Sequence, residues 1–495
     1  MTESHALLPL EIQEAIARYR PYLSPADYEE LLAAANRAAP SAVRVNLLKS
    51  TDPKRDLEAW SERYGWQTAP VAFSYAPPRQ VISSQTAPGQ TLEHRLGYYY
   101  VQDAASILPV SLFSKSSTPR LVLDMAASPG GKTTQLVDHN LDRDFIIAND
   151  SSASRLSALR TVMQIWGSAN HMISNFAGER LGDWFPQTFD RILLDAPCSM
   201  ESLRVSASHP PRPITPDERS RLAARQLALL TSAAKALKPG GELVYSTCTL
   251  APEEDEAVVN ALLNLAPNAF QINKIPLGIS ESSGLKSFGD QTFHPTLENS
   301  WRVWPHTFET NGFFAVLLTK IADFSSDASQ PPARPFSATG FVPVPASQLA
   351  VFDAQILNLY GLSLIPHLSQ SGLMLHQRGN NLHMIPKSYL DHFPSLPYHS
   401  LGMPFGKTYH GELALSVELI NRFGNLFNAN IWTIPADKVA QWLSGQDLRN
   451  LNFQGLRMGS VVIIRDELGR NLGAGKLSAN RLRNLLPNRN LLGKL

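Results

Sequence analysis

The stretch Leu121–Leu136 reads LVLDMAASPGGKTTQL, and the order of its parts decides the fold. A short apolar run ends at Asp124 and Met125, a small-residue loop follows, and a helix opens near Gly131. Glycines in such a loop let a ligand approach the backbone, and the helix amino terminus offers free N–H groups. The same rhythm continues outward. DFIIAND (144–150), HMISN (171–175), DRILLDA (190–196) and ELVYSTC (242–248) are further apolar runs that end in polar or small residues. Strands alternating with helices predict an α/β fold built on a doubly wound, Rossmann-like parallel sheet. The best-marked helix lies between the last two runs. Thr215 caps it, Pro216 suits its first turn and Glu218 completes a capping box. Leu222, Leu227, Leu230, Ala234 and Leu237 form its inward face, and Pro239-Gly240-Gly241 ends it.

Two nucleotide loops compete for this stretch. Gly131-Lys132-Thr133 resembles the end of a P-loop, but Ala126 stands where that loop needs its first glycine. A dinucleotide loop fits poorly because G-x-G-x-x-G is absent. Asp150 ends the second strand, where an acid accepts the ribose hydroxyls of an adenosine-containing ligand. It equally suits a cap for the following helix, a role open also to Ser151 and Ser152.

At 495 residues the chain exceeds one ordinary domain. Residues 1–100 read as a mixed α/β, RNA-binding appendage, with helical character over Pro25–Ala39 and strand-like alternation over Ala42–Leu48. Residues 101–322 hold the core. A Ser-, Ala- and Pro-rich stretch, 323–345, has linker composition and should mark a point where the rest could be removed. A small α/β segment, 346–400, and a basic region, 401–495, follow. The basic region carries 12 Lys and Arg against 6 Asp and Glu, so the remainder of this nearly neutral chain is acidic. That asymmetry suggests a polyanionic partner at the carboxyl end. No charged leader or membrane-length apolar run is present, which predicts a cytoplasmic protein without a membrane partner.

Only two cysteines occur, too few for a disulfide framework or a four-cysteine zinc site, and no metal is expected. Both lie at strand ends. Asp195-Ala196-Pro197-Cys198 closes the fourth strand, and Thr247-Cys248 closes the fifth. In an open parallel sheet, ligands sit outside the carboxyl ends of strands, so both thiols should face the ligand crevice. One cysteine there reads as a small buried hydrophobe; two at neighbouring strand ends read as chemistry.

The strings YYYVQDAAS, LDMAASPGGKTTQL, DRILLDAPCS, VYSTCTL and RVWPHTFETNGFF resemble the Nop/Sun family of RNA cytosine-5 methyltransferases, a likeness that runs in order over roughly residues 40 to 320. The resemblance implies an S-adenosylmethionine cofactor and an RNA substrate. It implies that Cys248 is the nucleophile and that Cys198 assists product release. It also places Ala126, Ala127, Ser128, Pro129, Gly130, Gly131, Lys132, Asp150 and Asp195 around the cofactor. Carbon 5 of cytosine is a poor nucleophile. Thiolate addition at carbon 6 makes an enamine whose carbon 5 attacks a methyl sulfonium, and Asp195 is placed to stabilise the charge reaching ring nitrogen 3. The carboxyl-terminal strings GMPFGKTYHG and GSVVIIRDELGRNLGAGKL are similar to those of the F-type methyltransferases of bacterial small-subunit ribosomal RNA, implying a PUA-like, β-rich RNA-binding module. Ribosomal RNA is the expected partner, with transfer RNA the alternative, and the protein should act as a monomer.

Departures mark this chain. The family continues DAPCSG-x-G, but Met200 and Ser202 replace those glycines, and the basic residues after them thin to Arg204 and Arg212. Ala177 occupies a position where an acid often meets the adenine. One rival reading is a catalytically inactive RNA-binding protein, motivated by the altered loop and opposed by Cys198, Cys248 and Asp195. A second, an adenine amino methyltransferase, needs an Asn/Asp-Pro-Pro-aromatic string that DAPC does not supply.

Overall fold

The computed structural model describes residues 8–73, 78–205, 212–277, 283–324 and 328–486. The amino-terminal part forms a four-stranded antiparallel sheet from β1 (Ser41–Val45), β2 (Gln67–Pro70), β3 (Arg79–Ser83) and β4 (Tyr99–Asp103), in the order β2-β3-β1-β4. Two helices precede it, Leu10–Ala17 and Pro25–Ala35. Ser24 caps the second by accepting from the Asp27 N–H, and Pro25 sits where its missing N–H costs nothing. Their apolar faces do not pack on that sheet. Ile16, Tyr19 and Leu31 bury against Leu203, Leu250 and Trp304, which places both helices over the loops that follow the thiols.

The central sheet begins with β5 (Leu121–Asp124), β6 (Phe145–Asn149), β7 (His171–Ser174), β8 (Phe189–Asp195) and β9 (Leu237–Thr247), all parallel as expected. The sheet is nevertheless mixed. Strands β10 (Phe270–Ile272) and β11 (Trp301–Val303) both pair antiparallel with β12 (Phe313–Lys320), which in turn lies antiparallel beside β9. Strand order reverses at β5, between β6 and β8, and opens a crevice at their carboxyl ends. The helix Pro216–Ala236 covers one face, with Leu229, Leu230, Ala233 and Ala234 buried. Thr215 caps it by accepting from the Glu218 N–H. The capping box is not closed, because the Glu218 carboxylate is drawn away to Arg212.

The carboxyl-terminal divisions differ from the expected ones. A five-stranded sheet contains β13 (Val342–Pro343), β14 (Leu373–Arg378), β15 (Asn381–Pro386), β17 (Met403–Tyr409) and β18 (Glu412–Leu415), so hydrogen bonding runs across the boundary expected at 400. Between them, β16 (Ser400–Leu401) leaves that sheet and pairs with β7, closing one edge of the central sheet. The stretch expected to be a linker is docked: Phe336 is buried in the main core, and the Phe336 N–H donates to Pro394 O. A second five-stranded sheet spans Ile431 to Asn484.

Candidate active site

The loop after β5 is built to approach a ligand. Gly130 has φ of +113°, open only to glycine, and a Cβ there would come within 2.9 Å of Val162. A Cβ on Gly131 would meet the Tyr100 ring at 2.9 Å. Between this loop and β4 lies a cavity of about 220 Å³, lined by Tyr100, Gln102, Asp124, Ser128, Lys132 and Asp195 among others. Ala126, Ala127, Pro129 and Gly131 contribute the rest of the loop wall. Three polar groups on this wall lack protein partners: both ends of the Gln102 amide, the Ser128 hydroxyl and Asp124 Oδ1. Buried polar groups are normally satisfied, so this wall is built for a polar ligand. Gln102 lies within YYYVQDAAS, where a lone amide in a strand carries no local mark of a ligand contact.

Asp150 stands beside this cavity without lining it. Its Oδ2 accepts from the Ser128 N–H at 3.2 Å and its Oδ1 from the Ser152 N–H at 2.8 Å. It therefore clamps the loop and caps the following turn. Asn175, beside the vacant position at Ala177, donates its amide to Asp150 O.

Burial pushes the Asp124 carboxyl up to about 7, against the lowering effect of its hydrogen bond from Thr133. A carboxyl raised in the folded state contributes stability below its unfolded value near 3.8, and that contribution is lost as pH rises through 7. The apoprotein should lose about 4 kcal/mol of stability across this window through Asp124. Urea unfolding at pH 4 and pH 8 checks this. The loss should shrink by about that amount in Asp124→Asn, and equal pH dependence in both proteins would refute it.

The chemistry gathers one strand further on. Lys132 Nζ donates to Asp195 Oδ2 at 2.8 Å and lies 5.2 Å from the Phe313 ring centre. A P-loop lysine would be free for phosphate, so this pairing removes the NTPase reading. Asp195 Oδ1 accepts from Ser246 Oγ, also at 2.8 Å. Cys198 and Cys248 are free thiols whose sulfurs lie 2.9 Å apart. Burial lowers the Lys132 pKa, but Asp195 and, to a smaller extent, Cys248 outweigh it, and the net shift is upward. The hydrogen bond with Cys248, then burial, then repulsion from that same sulfur hold the Cys198 thiol well above its ordinary value.

Lys132, Asp195, Cys248 and Phe313 line a cleft of about 1330 Å³ that also takes in Met200, Arg18 and the start of the helix at Pro216. The described part of the loop from Cys198 is pinned. Ser199 N–H donates to Glu254, and Glu201 is gripped by Arg18 and Arg219. Arg204 is buried on the backbone carbonyls of Arg37 and Thr310, and Arg212 pairs with Glu218. Both arginines therefore serve the protein itself. Among the described residues, no group of three or more His, Cys, Asp or Glu is arranged to hold a metal, and no helix is long and apolar enough to cross a membrane.

Ribosomal RNA small subunit methyltransferase F of Aeromonas hydrophila is 30% identical over 93% of this chain and 92% of its own length. The protein of the same name from Klebsiella pneumoniae is 31% identical, with the same two coverages. The family description "16S rRNA methyltransferase RsmB/F" matches residues 113–319. The chain belongs to the RsmB/F methyltransferase family. A solved methyltransferase homolog protein from Pyrococcus horikoshii is 26% identical, with a TM-score of 0.52, and covers 63% of this chain and 100% of that one. As an RsmB/F protein the chain is an RNA methyltransferase dependent on S-adenosylmethionine. The unpartnered groups at Gln102, Ser128 and Asp124 suit that cofactor's hydroxyl, ammonium and carboxylate groups.

Proposed function

We propose that this RsmB/F protein methylates carbon 5 of a cytosine in structured RNA, with small-subunit ribosomal RNA as substrate, through a covalent adduct on Cys248. The observation that carries the reading is the pair of thiols in contact at the mouths of β8 and β9, beside the Lys132–Asp195 ion pair. S-adenosylmethionine supplies the electrophilic methyl group. Ala126 to Pro129, Gly131, Lys132 and Asp195 line the place proposed for it, with Asp150 holding the loop through the Ser128 N–H.

The Lys132 ammonium, paired with Asp195, stands within charge range of the Cys248 sulfur. The thiolate adds to carbon 6 of the ring and electron density moves toward nitrogen 3. Both Asp195 oxygens accept hydrogen bonds in the resting site, from Lys132 and from Ser246, and the charge that develops on nitrogen 3 is met by this Lys132–Asp195 pair. Once Cys248 sulfur is bonded to carbon, the main cause of the raised Cys198 pKa is gone. Carbon 5 takes the methyl group, the donor leaving as its thioether; Cys198, its own proton passed to solvent, then removes the carbon 5 proton, and the carbon–sulfur bond breaks to return the Cys248 thiolate and release the methylated base.

This order of events predicts that Cys198→Ala forms the adduct and fails to resolve it. Protein–RNA species resisting denaturing electrophoresis should accumulate, and Cys248→Ser added to the same protein should remove them. An adduct that survives in the double variant would reverse the two roles.

The basic end is proposed to hold RNA by its phosphates, but with fewer charges than its composition suggests. Arg465 is spent on Gly424 O and Phe427 O, Arg470 on Asp466 and Glu93, and Arg481 on Asp447. Lys476 and Arg483 are register partners on adjacent strands and supply the cationic pair for a PUA-like contact. Arg489 and Lys494 lie outside the described residues.

A further inference from the structure

Met200 sits two residues after Cys198 with φ of +63°, in the left-handed region that glycine occupies without strain. Its neighbours account for the conformation. On one side, Ser199 N–H is fixed to Glu254 and its hydroxyl to Thr249. On the other, Glu201 is held by two arginines, and Ser202 O accepts from the Gly312 N–H at 2.8 Å. The backbone is thus fixed to three separate elements, and residue 200 must take the left-handed form. Glycine would do so freely, yet the chain carries one of the bulkier apolar side chains there.

That side chain gains nothing from the protein core. It is 44% exposed, and it lines the cleft that also holds Cys248, Asp195 and Phe313. Leu203, three residues on, also has positive φ but is 2% exposed and packs under the amino-terminal helices. One strained side chain is explained by burial and the other is not. An unburied apolar side chain kept in an unfavourable backbone state beside an active thiol points to use by the substrate.

The chemistry of the site says what that use is. A cytosine reaches the thiols only by leaving its stack, and its departure opens a gap between flanking bases. Apolar side chains such as Met fill gaps of this kind in nucleic acids. Met is unbranched and adaptable enough to enter one. We propose that Met200 is a specificity-determining wedge that occupies the stack vacated by the target cytidine in folded RNA. The inference rests on the cytosine-5 reading above.

Unmodified small-subunit ribosomal RNA transcript, folded in magnesium, tests it against a short unpaired fragment spanning the methylated cytosine. That cytosine is located by bisulfite sequencing of the wild-type product. Met200→Gly relieves backbone strain, so its Tm should equal or exceed that of the wild type. Its kcat/KM should fall on both RNAs, with the loss on folded RNA at least about tenfold greater, because only folded RNA has a stack to refill. Met200→Leu should recover most of the difference. Equal losses on the two RNAs, or no loss on either, would overturn the wedge while leaving cytosine-5 transfer intact. A wild-type protein that methylates no cytosine would overturn the reading beneath it.

Discussion

Cys248→Ser is expected to lower methyl transfer by about 10³-fold or more while cofactor affinity stays within about twofold of the wild type. The two halves of this expectation have separate physical origins. A serine hydroxyl is a far weaker acid than a thiol, and the neighbouring ammonium of Lys132 cannot make up the difference, so addition to carbon 6 stalls. The proposed cofactor wall, by contrast, comes from Tyr100, Gln102 and the loop after β5, and Cys248 is absent from it. Single-turnover methylation and calorimetry measure the two quantities independently. Turnover within tenfold of wild type would remove Cys248 from the covalent role. A parallel collapse of cofactor binding would assign it to the cofactor site instead.

Ending the chain at Pro345 should abolish folding of the catalytic core. Such a fragment loses Ile385, Tyr389, Phe393, Leu396 and Leu401, all buried in the main core with residues of β5, β6 and β8. The Phe393 ring stacks on Phe189 at 6.0 Å and lies 6.0 Å from Phe145. Losing one buried aromatic side chain costs about 3–5 kcal/mol, and an entire fold is stable by only about 5–15 kcal/mol. The fragment should be insoluble or show no cooperative thermal transition. A soluble fragment with the full-length Tm would contradict the packing described above.

That second expectation reverses what composition suggests, and the reason is physical. Pro, Ser and Ala between 323 and 345 report weak local structure, not weak contact. Phe336 is buried in the core with Phe324 and Phe341 packed against it, and a reading of Ser, Ala and Pro content passes over these three rings. The five parallel strands were legible because each is a continuous apolar run bounded by polar residues, the pattern of a strand buried on both faces. Strands β12 and β16 were not placed, since pairing partners far apart in the chain leave no local mark. At the site, the meeting of Cys198 with Cys248 followed from strand ends at one crevice. The attachment of Lys132 to Asp195 did not, because in sequence Lys132 belongs to the loop that suggests phosphate. Asp150 admitted two roles by sequence, and its carboxylate holds the Ser128 and Ser152 amides without lining the cavity. Basic residues near the carboxyl end were counted as surface charge, but Arg465 and Arg470 turn inward to carbonyl and carboxylate partners that no count reveals.

The short strand Ser400–Leu401 also orders events on the ribosome. Every strand that positions Cys198, Cys248 and Lys132 has been translated once Lys320 is added, but the open edge of β7 waits for Ser400. At about 5–20 residues per second, those intervening roughly 80 residues take about 4–16 s. Through that interval the nascent chain lacks both the residues that complete its core and the partner of β7, so its apolar strands stay exposed as a ready template for pairing with another nascent chain. Slow codons placed between positions 320 and 400 would lengthen the exposure, and faster ones would shorten it.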